Sequence, residues 1–389
     1  MSTFAEVEAI IQRGLQDTAP AIALAVSHRG TRIVEGAYGY LDPETRRQPI
    51  NNNTLFDLAS VTKLFTTTLF LWQVAAGKAA IDDPVINVVP EFGRYGTRPI
   101  EGGQNPHTLE REAPISSGSV DPATITFRHL LTHTSGLAPW RDLFIQLGPI
   151  PDPPQGYESS VNHQERLAKA LDLIASFPFV SHPGERVNYS DLGLILLGAA
   201  VARLEGETET LDSTLHNMLG LLAVEVQYNP MKPAQCVPTE YDERWRKRRC
   251  QGEVHDENAC ALGGIAGHAG LFGRASDVAD LAVEWLMALN GRRTYFPADL
   301  AREAIRHHGE YRGLGWVLRQ PEGSSSGRFF SPRSFGHTGF TGTSLWVDPE
   351  RELVVSLMTN RVYFGRDHDG ILRFRPALHD AIAQWVDTL

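Results

Sequence analysis

The sequence predicts an α+β sandwich: one antiparallel sheet built from both ends of the chain and flanked by helices, with a mostly helical lobe inserted. Three observations predict it. Two strand-like runs stand near the N-terminus, residues 21–27 and 31–40, joined by the turn His28-Arg29-Gly30. Three more stand near the C-terminus, residues 314–318, 345–347 and 353–358, with Asp348-Pro349-Glu350-Arg351 as the turn between the last two. Between the two sets the apolar residues follow helical spacing, and the economical packing pairs the outer strands with one another. The sheet lobe is then about residues 1–58 and 276–389, and the helical lobe about residues 59–275, within one domain over 1–389.

Each element has its own signal. Phe4, Val7, Ile10, Ile11 and Leu15 form a helical stripe. A loop at 51–54 leads to a strongly apolar helix that Ser60 opens and that runs to about Gly77. Residues 92–122 are rich in Gly, Pro, Ser and charge and read as a surface insertion or lid. A short helix within 125–137 ends in a polar turn, and residues 138–160 and 229–258 are irregular. Helices are expected over 166–177, 192–204, 276–289 (capped by Ser276 and Asp277) and 371–389. No internal repeat or low-complexity tract interrupts this order.

Of the 389 residues, 42% are hydrophobic and 21% charged, an ordinary globular balance, and the formal net charge of −10 gives no footing for nucleic acid or an anionic membrane surface. The one basic run, Arg244 to Arg249, reads as a solvated loop or helix face. Cys236, Cys250 and Cys260 fit neither a disulfide framework nor a zinc ribbon. The N-terminal residues lack the basic and apolar regions of a signal peptide and no apolar run reaches membrane-spanning length, so the expected location is the cytoplasm.

The chemistry gathers at Ser60-Val61-Thr62-Lys63. On a helix Lys63 stands one turn above Ser60 on the same face, which brings an amine to a hydroxyl. An alcohol needs a neighbouring base to become a nucleophile, and a lysine in a partly desolvated pocket has its pKa lowered enough to serve. Backbone N–H groups at the helix start favour an oxyanion forming there. Ser-x-x-Lys arises about once by chance in a chain of this length, so the tetrad needs partners. Two stretches offer them. Tyr189-Ser190-Asp191, just before a helix, presents a phenol able to carry a proton, with Asp191 as a helix cap in the plainer reading. Residues 335–344, which include His337-Thr338-Gly339-Phe340 and carry three glycines among small polar residues at a strand edge, let a ligand approach the backbone and supply an N–H toward an oxyanion.

With all three stretches in order, the chain resembles the serine β-lactamase and penicillin-binding-protein superfamily, in particular its class C β-lactamase-like branch with esterases and D-aminopeptidases. Ser60-Val61-Thr62-Lys63 matches Ser-x-x-Lys, Tyr189-Ser190-Asp191 matches Tyr-x-Asn with Asp for Asn, and His337-Thr338-Gly339 matches Lys-Thr-Gly with His for Lys. Residues 130–137, Pro183-Gly184 and 263–272 add to the likeness, which spans roughly residues 5–388. The resemblance implies a serine hydrolase that needs no cofactor or metal. Ser60 is acylated, Lys63 and Tyr189 handle its proton, and the N–H groups of Ser60 and Phe340 hold the oxyanion. Asp191, His337, Thr338 and Gly339 line the substrate.

Two departures shape the expected substrate. A histidine is mostly neutral at pH 7, so His337 is a poor clamp for a substrate carboxylate. Asp191 near Lys63 favours the ammonium and raises its pKa, which shifts weight to Tyr189 as base. Both favour esters or non-lactam amides over β-lactams. Residues 251–272 further resemble a subgroup found beside cell-wall N-acetylhexosaminidases, which points to a muropeptide-related amide. His255, Asp256, Glu257 and His268 match no metal-ligand spacing and read as loop-ordering groups. The rival readings are a true class C-like β-lactamase or D-Ala-D-Ala carboxypeptidase, a penicillin-recognising sensor without turnover, and an α/β-hydrolase, which would require its serine nucleophile in a Gly-x-Ser-x-Gly elbow, a setting that Ser60 does not have. The expected partner is a small ester or amide or a cell-wall-derived peptide, with oligomeric state left open.

Overall fold

The chain opens on helix α1 (Phe4–Asp17) and the hairpin β1 (Ala21–His28) and β2 (Thr31–Gly39). A short strand β3 (Phe56–Asp57) precedes α2 (Thr62–Ala75), and a two-stranded ribbon, β4 (Arg98–Pro99) and β5 (Ser119–Val120), precedes α3 (Phe127–Leu131), α4 (Leu143–Gln146) and α5 (His163–Ser176). Then come α6 (Asp191–Glu205), α7 (Leu211–Leu219), β6 (Gln227–Tyr228), α8 (Glu257–Ala261) and β7 (Leu271–Gly273). The chain closes with α9 (Ala275–Leu289), α10 (Ala298–Ala304), β8 (Val317–Leu318), β9 (Phe335–Thr338), β10 (Ser344–Asp348), β11 (Leu353–Thr359) and α11 (Asp369–Val386). The structure is a computed structural model that describes residues 3–105, 110–222, 224–292, 294–367 and 369–389.

The two ends of the chain do build one antiparallel sheet, in the order β2-β1-β11-β10-β9-β8. Its two faces follow from strand alternation. Ile22, Leu24 and Val26 of β1 pack with Val7 and Ile11 of α1 and with Leu378 and Ile382 of α11. Ala21, Ala23 and Ala25 face the other way into the larger core with Val278 and Ala282 of α9, and their small side chains let α9 lie close. In the middle of the chain, residues 62–73 of α2 and 192–202 of α6 are buried around their full circumference; α6 is apolar there on every face, while α2 also buries Lys63, Thr66, Thr68 and Gln73, each hydrogen-bonded.

The structure differs from the sequence expectations in five places, each for a local physical reason. The sheet has a fourth late strand, β9, and the expected 314–318 strand shrinks to Val317–Leu318. In β9, Gly336 stands opposite Trp346, where a Cβ would sit 2.6 Å from the indole and 2.2 Å from the Leu345 carbonyl. Ser60 does not cap the central helix: it lies in the 3₁₀ turn Ala59–Val61, and α2 starts at Thr62. Helix α9 is capped at Arg274, whose N–H donates to Asp277, and Ser276 takes no part. Residues 92–122 do not lie loose on the surface. Arg98 is buried between the Phe92 and Phe179 rings and donates to the Ile174 and Phe177 carbonyls, which pins the segment against α5. Residues 106–109 of that stretch lie outside the described residues.

The fifth difference is the basic run. Arg246 is fully buried, pairs with Asp242 at 2.7 Å and donates to the Val254 and His255 carbonyls. Arg248 pairs with Glu253, and Arg249 reaches the Thr239 and Tyr363 carbonyls. These arginines are the interior frame of the 229–258 segment. With both side chains of the Arg246–Asp242 pair out of water, removing one leaves an uncompensated buried charge. We therefore expect Asp242→Ala to lower the unfolding free energy by about 3–5 kcal/mol in urea titration. A loss below about 1 kcal/mol, the scale of a surface pair, would contradict that role.

Candidate active site

Ser60 is placed by the strand before it. Phe56 and Asp57 pair with Gly273 and Phe272 of β7, and the Leu58 N–H continues to the Leu271 carbonyl. The buried Asp57 carboxylate accepts the Ala59 N–H at 2.8 Å and the His255 N–H at 2.6 Å. Ala59 then takes a left-handed conformation, φ +46°. A non-glycine residue there is strained by about 1–3 kcal/mol, and the Asp57 hydrogen bond helps to hold it. The chain turns sharply, and Ser60 is delivered at the base of α2.

Lys63 is the centre of the cluster. Its ammonium donates to Ser60 Oγ at 2.8 Å and to the His268 carbonyl at 3.0 Å, and it pairs with Asp191 Oδ1 at 2.7 Å. Its side chain is 1% exposed. Burial alone would lower its pKa, but Asp191 and then Tyr189 outweigh that and hold it above the ordinary lysine value. The reading of Lys63 as a lysine of lowered pKa is thereby corrected, while the effect expected of Asp191 is present. Ser190, not Asp191, is the cap of α6: its hydroxyl accepts the Gly193 N–H, which frees the Asp191 carboxylate for Lys63.

The Tyr189 ring lies beside Lys63, with Nζ 4.9 Å from its centroid. Its position comes from residues 133–139. The Asn188 N–H donates to the His133 carbonyl, the Ser190 N–H to His133 Nδ1, and the Asp191 N–H to the Pro139 carbonyl. The His133 ring packs against Tyr189, tilted by 39° with ring centres 4.5 Å apart. An imidazole that accepts at Nδ1 must be neutral, and burial, with Arg312 and Lys63 nearby, keeps His133 well below its ordinary pKa.

Opposite Ser60 runs the edge of β9. Strand β8 pairs only with Phe335 and Gly336 of β9, so His337, Thr338 and the loop beyond stay open toward the serine. The loop 339–343 is tied to the serine strand: Thr341 Oγ1 donates to the Asp57 carbonyl and Thr343 Oγ1 to the Leu58 carbonyl. Gly339 has no room for a side chain, since a Cβ would meet Leu58 O at 2.7 Å. Arg361 holds the Phe340 carbonyl, and Arg375 holds those of Gly339, Gly342 and Thr343. Phe340 thus borders Ser60 on a braced loop. His337 is buried, and its Nδ1 donates to the Thr338 carbonyl at 2.8 Å. Burial, then Lys63 and Arg312, push its pKa down to about 3, so it carries no charge at neutral pH.

Two cavities meet at Ser60, Tyr189 and Phe340. The smaller, about 210 Å³, is lined by Trp140, Asp191 and residues 255–257. Here His255 pairs with Glu240, Asp256 with His268, and Glu257 with Arg366, so the expected loop-ordering groups also form a wall of the site. The larger, about 670 Å³, is lined by His337, Thr338 and Gly339 and by Arg312, Arg361, Arg366 and Arg375. Those arginines are functional candidates that sequence reasoning missed, and they place fixed cations in the cavity beside the uncharged His337. No described residue of 92–122 lines either cavity. Among the described residues no cluster suited to a metal ion is found, and no helix is long and apolar enough to cross a membrane.

A terminal-strand sheet with a serine, a lysine and a tyrosine gathered at its edge is the fold of β-lactamases and penicillin-binding proteins. The Beta-lactamase family profile matches residues 7–377, and the chain belongs to that family as a serine hydrolase. It is 30% identical over 390 residues to an N-acetylmuramyl-L-alanine amidase of Bacillus subtilis (strain 168), covering 92% of this chain and 80% of that one. It is 27% identical over 374 residues to a protein of Escherichia coli (strain K12) provisionally named D-alanyl-D-alanine carboxypeptidase, covering 88% and 78%. Among solved structures it superposes on EstCE1, a hydrolase with promiscuous acyltransferase activity, with TM-score 0.71 and 19% identity over 97% of this chain and 98% of that one. This last likeness is one of fold.

Three buried histidines set a pH dependence. Burial first, with neighbouring cations, lowers His337 to about 3, and burial lowers His379 to about 4 and His133 well below 6.5. In the unfolded chain they take up protons from about pH 6.5 downward. The unfolded state therefore binds more protons below that pH, and stability, full above it, falls as pH drops toward 4 and 3. We expect a lower urea midpoint at about pH 5 than at about pH 7.5, with a smaller difference in His337→Gln. Equal midpoints at the two pH values would contradict this burial.

Proposed function

We propose that the protein hydrolyses an amide or ester bond of a cell-wall-derived peptide through an acyl-enzyme on Ser60. The observation that carries the reading is the Lys63 ammonium, held charged by Asp191 at 2.7 Å while it donates to Ser60 Oγ at 2.8 Å. A donated hydrogen bond occupies a lone pair of the serine oxygen and turns its own proton elsewhere. Lys63, as an ammonium, has no lone pair with which to take that proton. Tyr189 is then the proton carrier.

The steps balance without a cofactor. Ser60 Oγ attacks the carbonyl carbon and its proton passes to the Tyr189 oxygen, while the Tyr189 proton passes to the leaving nitrogen or oxygen. The carbonyl oxygen, now negative, sits between the N–H groups of Ser60 and Phe340. The leaving group departs with its new proton, and a water repeats the relay in reverse to regenerate Ser60. Lys63 stays a fixed positive charge beside the reacting oxygen throughout. The rigid braces on residues 339–343 keep the oxyanion site preorganised.

The cell-wall assignment draws on the names of the amidase and the carboxypeptidase that this chain resembles. A D-Ala-D-Ala carboxypeptidase or a class C-like β-lactamase is the second reading, favoured by Arg312, which could meet a carboxylate beside the scissile bond. A sensor without turnover is disfavoured, since Ser60, Lys63 and Tyr189 stand together. Three buried unpaired thiols suit a reducing compartment such as the cytoplasm.

A fluorophosphonate probe is expected to label Ser60, seen by peptide mass, and Ser60→Ala to lose both labelling and hydrolysis of p-nitrophenyl acetate. Tyr189→Phe is expected to lower kcat at least about a hundredfold. Labelling that persists in Ser60→Ala would sink the mechanism, and near-normal turnover in Tyr189→Phe would remove that residue from it.

A further inference from the structure

Asp57 is a buried carboxylate that the proposed chemistry does not use. It is 2% exposed, and no lysine or arginine pairs with it among the described residues. A buried carboxylate without a cation is costly. Burial raises its pKa, and the N–H groups of His255 and Ala59 are the main influences set against that. One of those contacts is local and the other is not. Oδ1 accepts the N–H two residues on, at Ala59, and closes a tight turn around the strained φ of +46°. Oδ2 accepts the N–H of His255, 198 residues along the chain.

Each arm ends beside one of the two N–H groups assigned to the oxyanion. The Ala59–Ser60 peptide carries the first, and that peptide is planar, so the dihedral angles of Ala59 set where the Ser60 N–H points. Ala59 also abuts the loop that carries the second: a Cβ on Gly339 would meet the Ala59 Cβ at 3.2 Å. On the other arm, the His255 ring stacks on Phe340, with centroids 5.4 Å apart and planes at 26°. Glu240 pairs with that imidazole. The Asp57 carbonyl accepts from Thr341 Oγ1 at 2.9 Å, one residue past Phe340. The oxygens of Asp57 therefore hold the serine turn, the ring that packs on Phe340 and the Phe340 loop itself.

We propose that Asp57 is a positioning residue for the oxyanion site, its two carboxylate oxygens setting the spacing between the Ser60 and Phe340 N–H groups. The proposal rests on Ser60 being the nucleophile and on those two donors. Oxyanion donors act on charge that develops in the transition state, so their misplacement lowers turnover and leaves substrate binding alone. Asparagine keeps the size of the side chain but offers one acceptor and one N–H₂ donor. It satisfies either Ala59 or His255 and confronts the other N–H with a donor.

The test compares Asp57→Asn with the unaltered protein, each normalised to the sites that a fluorophosphonate probe titrates at completion. Loss of the Ser60 reading abolishes labelling, so its failure is distinct from failure of this one. With p-nitrophenyl acetate, kcat and kcat/KM per titrated site are expected to fall together by at least about tenfold, toward the hundredfold of a donor removed outright. Phenylboronic acid forms a tetrahedral adduct on a serine, with a boron-bound oxygen where the oxyanion sits. Its affinity is expected to fall by a similar factor. A merely structural role would lower the number of titrated sites and leave the rate of each unchanged. That result, a loss confined to KM, or a fall in kcat with unaltered boronate affinity would each overturn the proposal. Should Asp57→Asn fail to fold, Asp57→Asn/Ala59→Gly is compared with Ala59→Gly, since glycine takes the left-handed turn without strain. The same paired loss then supports the proposal, and equal kcat refutes it.

Discussion

The site depends on one buried ammonium. Lys63 is almost wholly withdrawn from water, and a lysine in that position either loses its proton or finds partners. Here it finds Asp191, Ser60 and the His268 carbonyl, which belong to three separate parts of the chain. The central helix carries Lys63, α6 brings Asp191 to it, and the segment leading into β7 supplies the carbonyl. Satisfying one charge therefore fixes three elements relative to one another, and the serine hydroxyl is placed as part of the same arrangement.

Around that charge the protein separates its electrostatics. On one side of Ser60 lie Asp191, Asp256 and Glu257, each with a cationic or imidazole partner. On the other lie Arg312, Arg361 and Arg375. His337 stands near both Lys63 and Arg312 and is kept neutral by burial and by those charges. A lysine at that position would add a further cation to an already positive wall, whereas a neutral imidazole that donates to the Thr338 carbonyl instead stiffens the strand edge. The positive charge of this cavity therefore comes from Arg312, Arg361, Arg366 and Arg375, and the β9 edge contributes a neutral imidazole.

Much of this was legible in the sequence, because the signals are local. Helical spacing placed Lys63 over Ser60, and two sets of alternating apolar runs announced the sheet. What was hidden depends on contacts between distant segments. Arg312, Arg361 and Arg375 sit in stretches without a motif and become neighbours of Ser60 only after β8, β11 and α11 pack beside it. The glycines about residues 336–339 marked a strand edge, but Gly336 breaks the apolar alternation by which β9 could be counted as a strand of the sheet; it stands there because Trp346 approaches so closely. The run 244–249 looked solvated because its charges stand together in sequence, while their partners Asp242 and Glu253 lie on either side of it. The role of His133 was carried by a backbone N–H bond to Tyr189's neighbour, which residue type alone does not announce.

The ionisation of Lys63 is the quantity on which the mechanism turns, and it can be measured directly. With five lysines in the chain, NMR of lysine labelled with carbon-13 at Cε can follow each one through a pH titration, with Lys63→Arg identifying the signal. Lys63 is expected to remain charged up to at least about pH 10, the ordinary lysine value, and to titrate lower once Asp191→Asn removes its counter-charge. A Lys63 that loses its proton near neutral pH in the unaltered protein would make it the base, and would contradict the assignment of proton transfer to Tyr189.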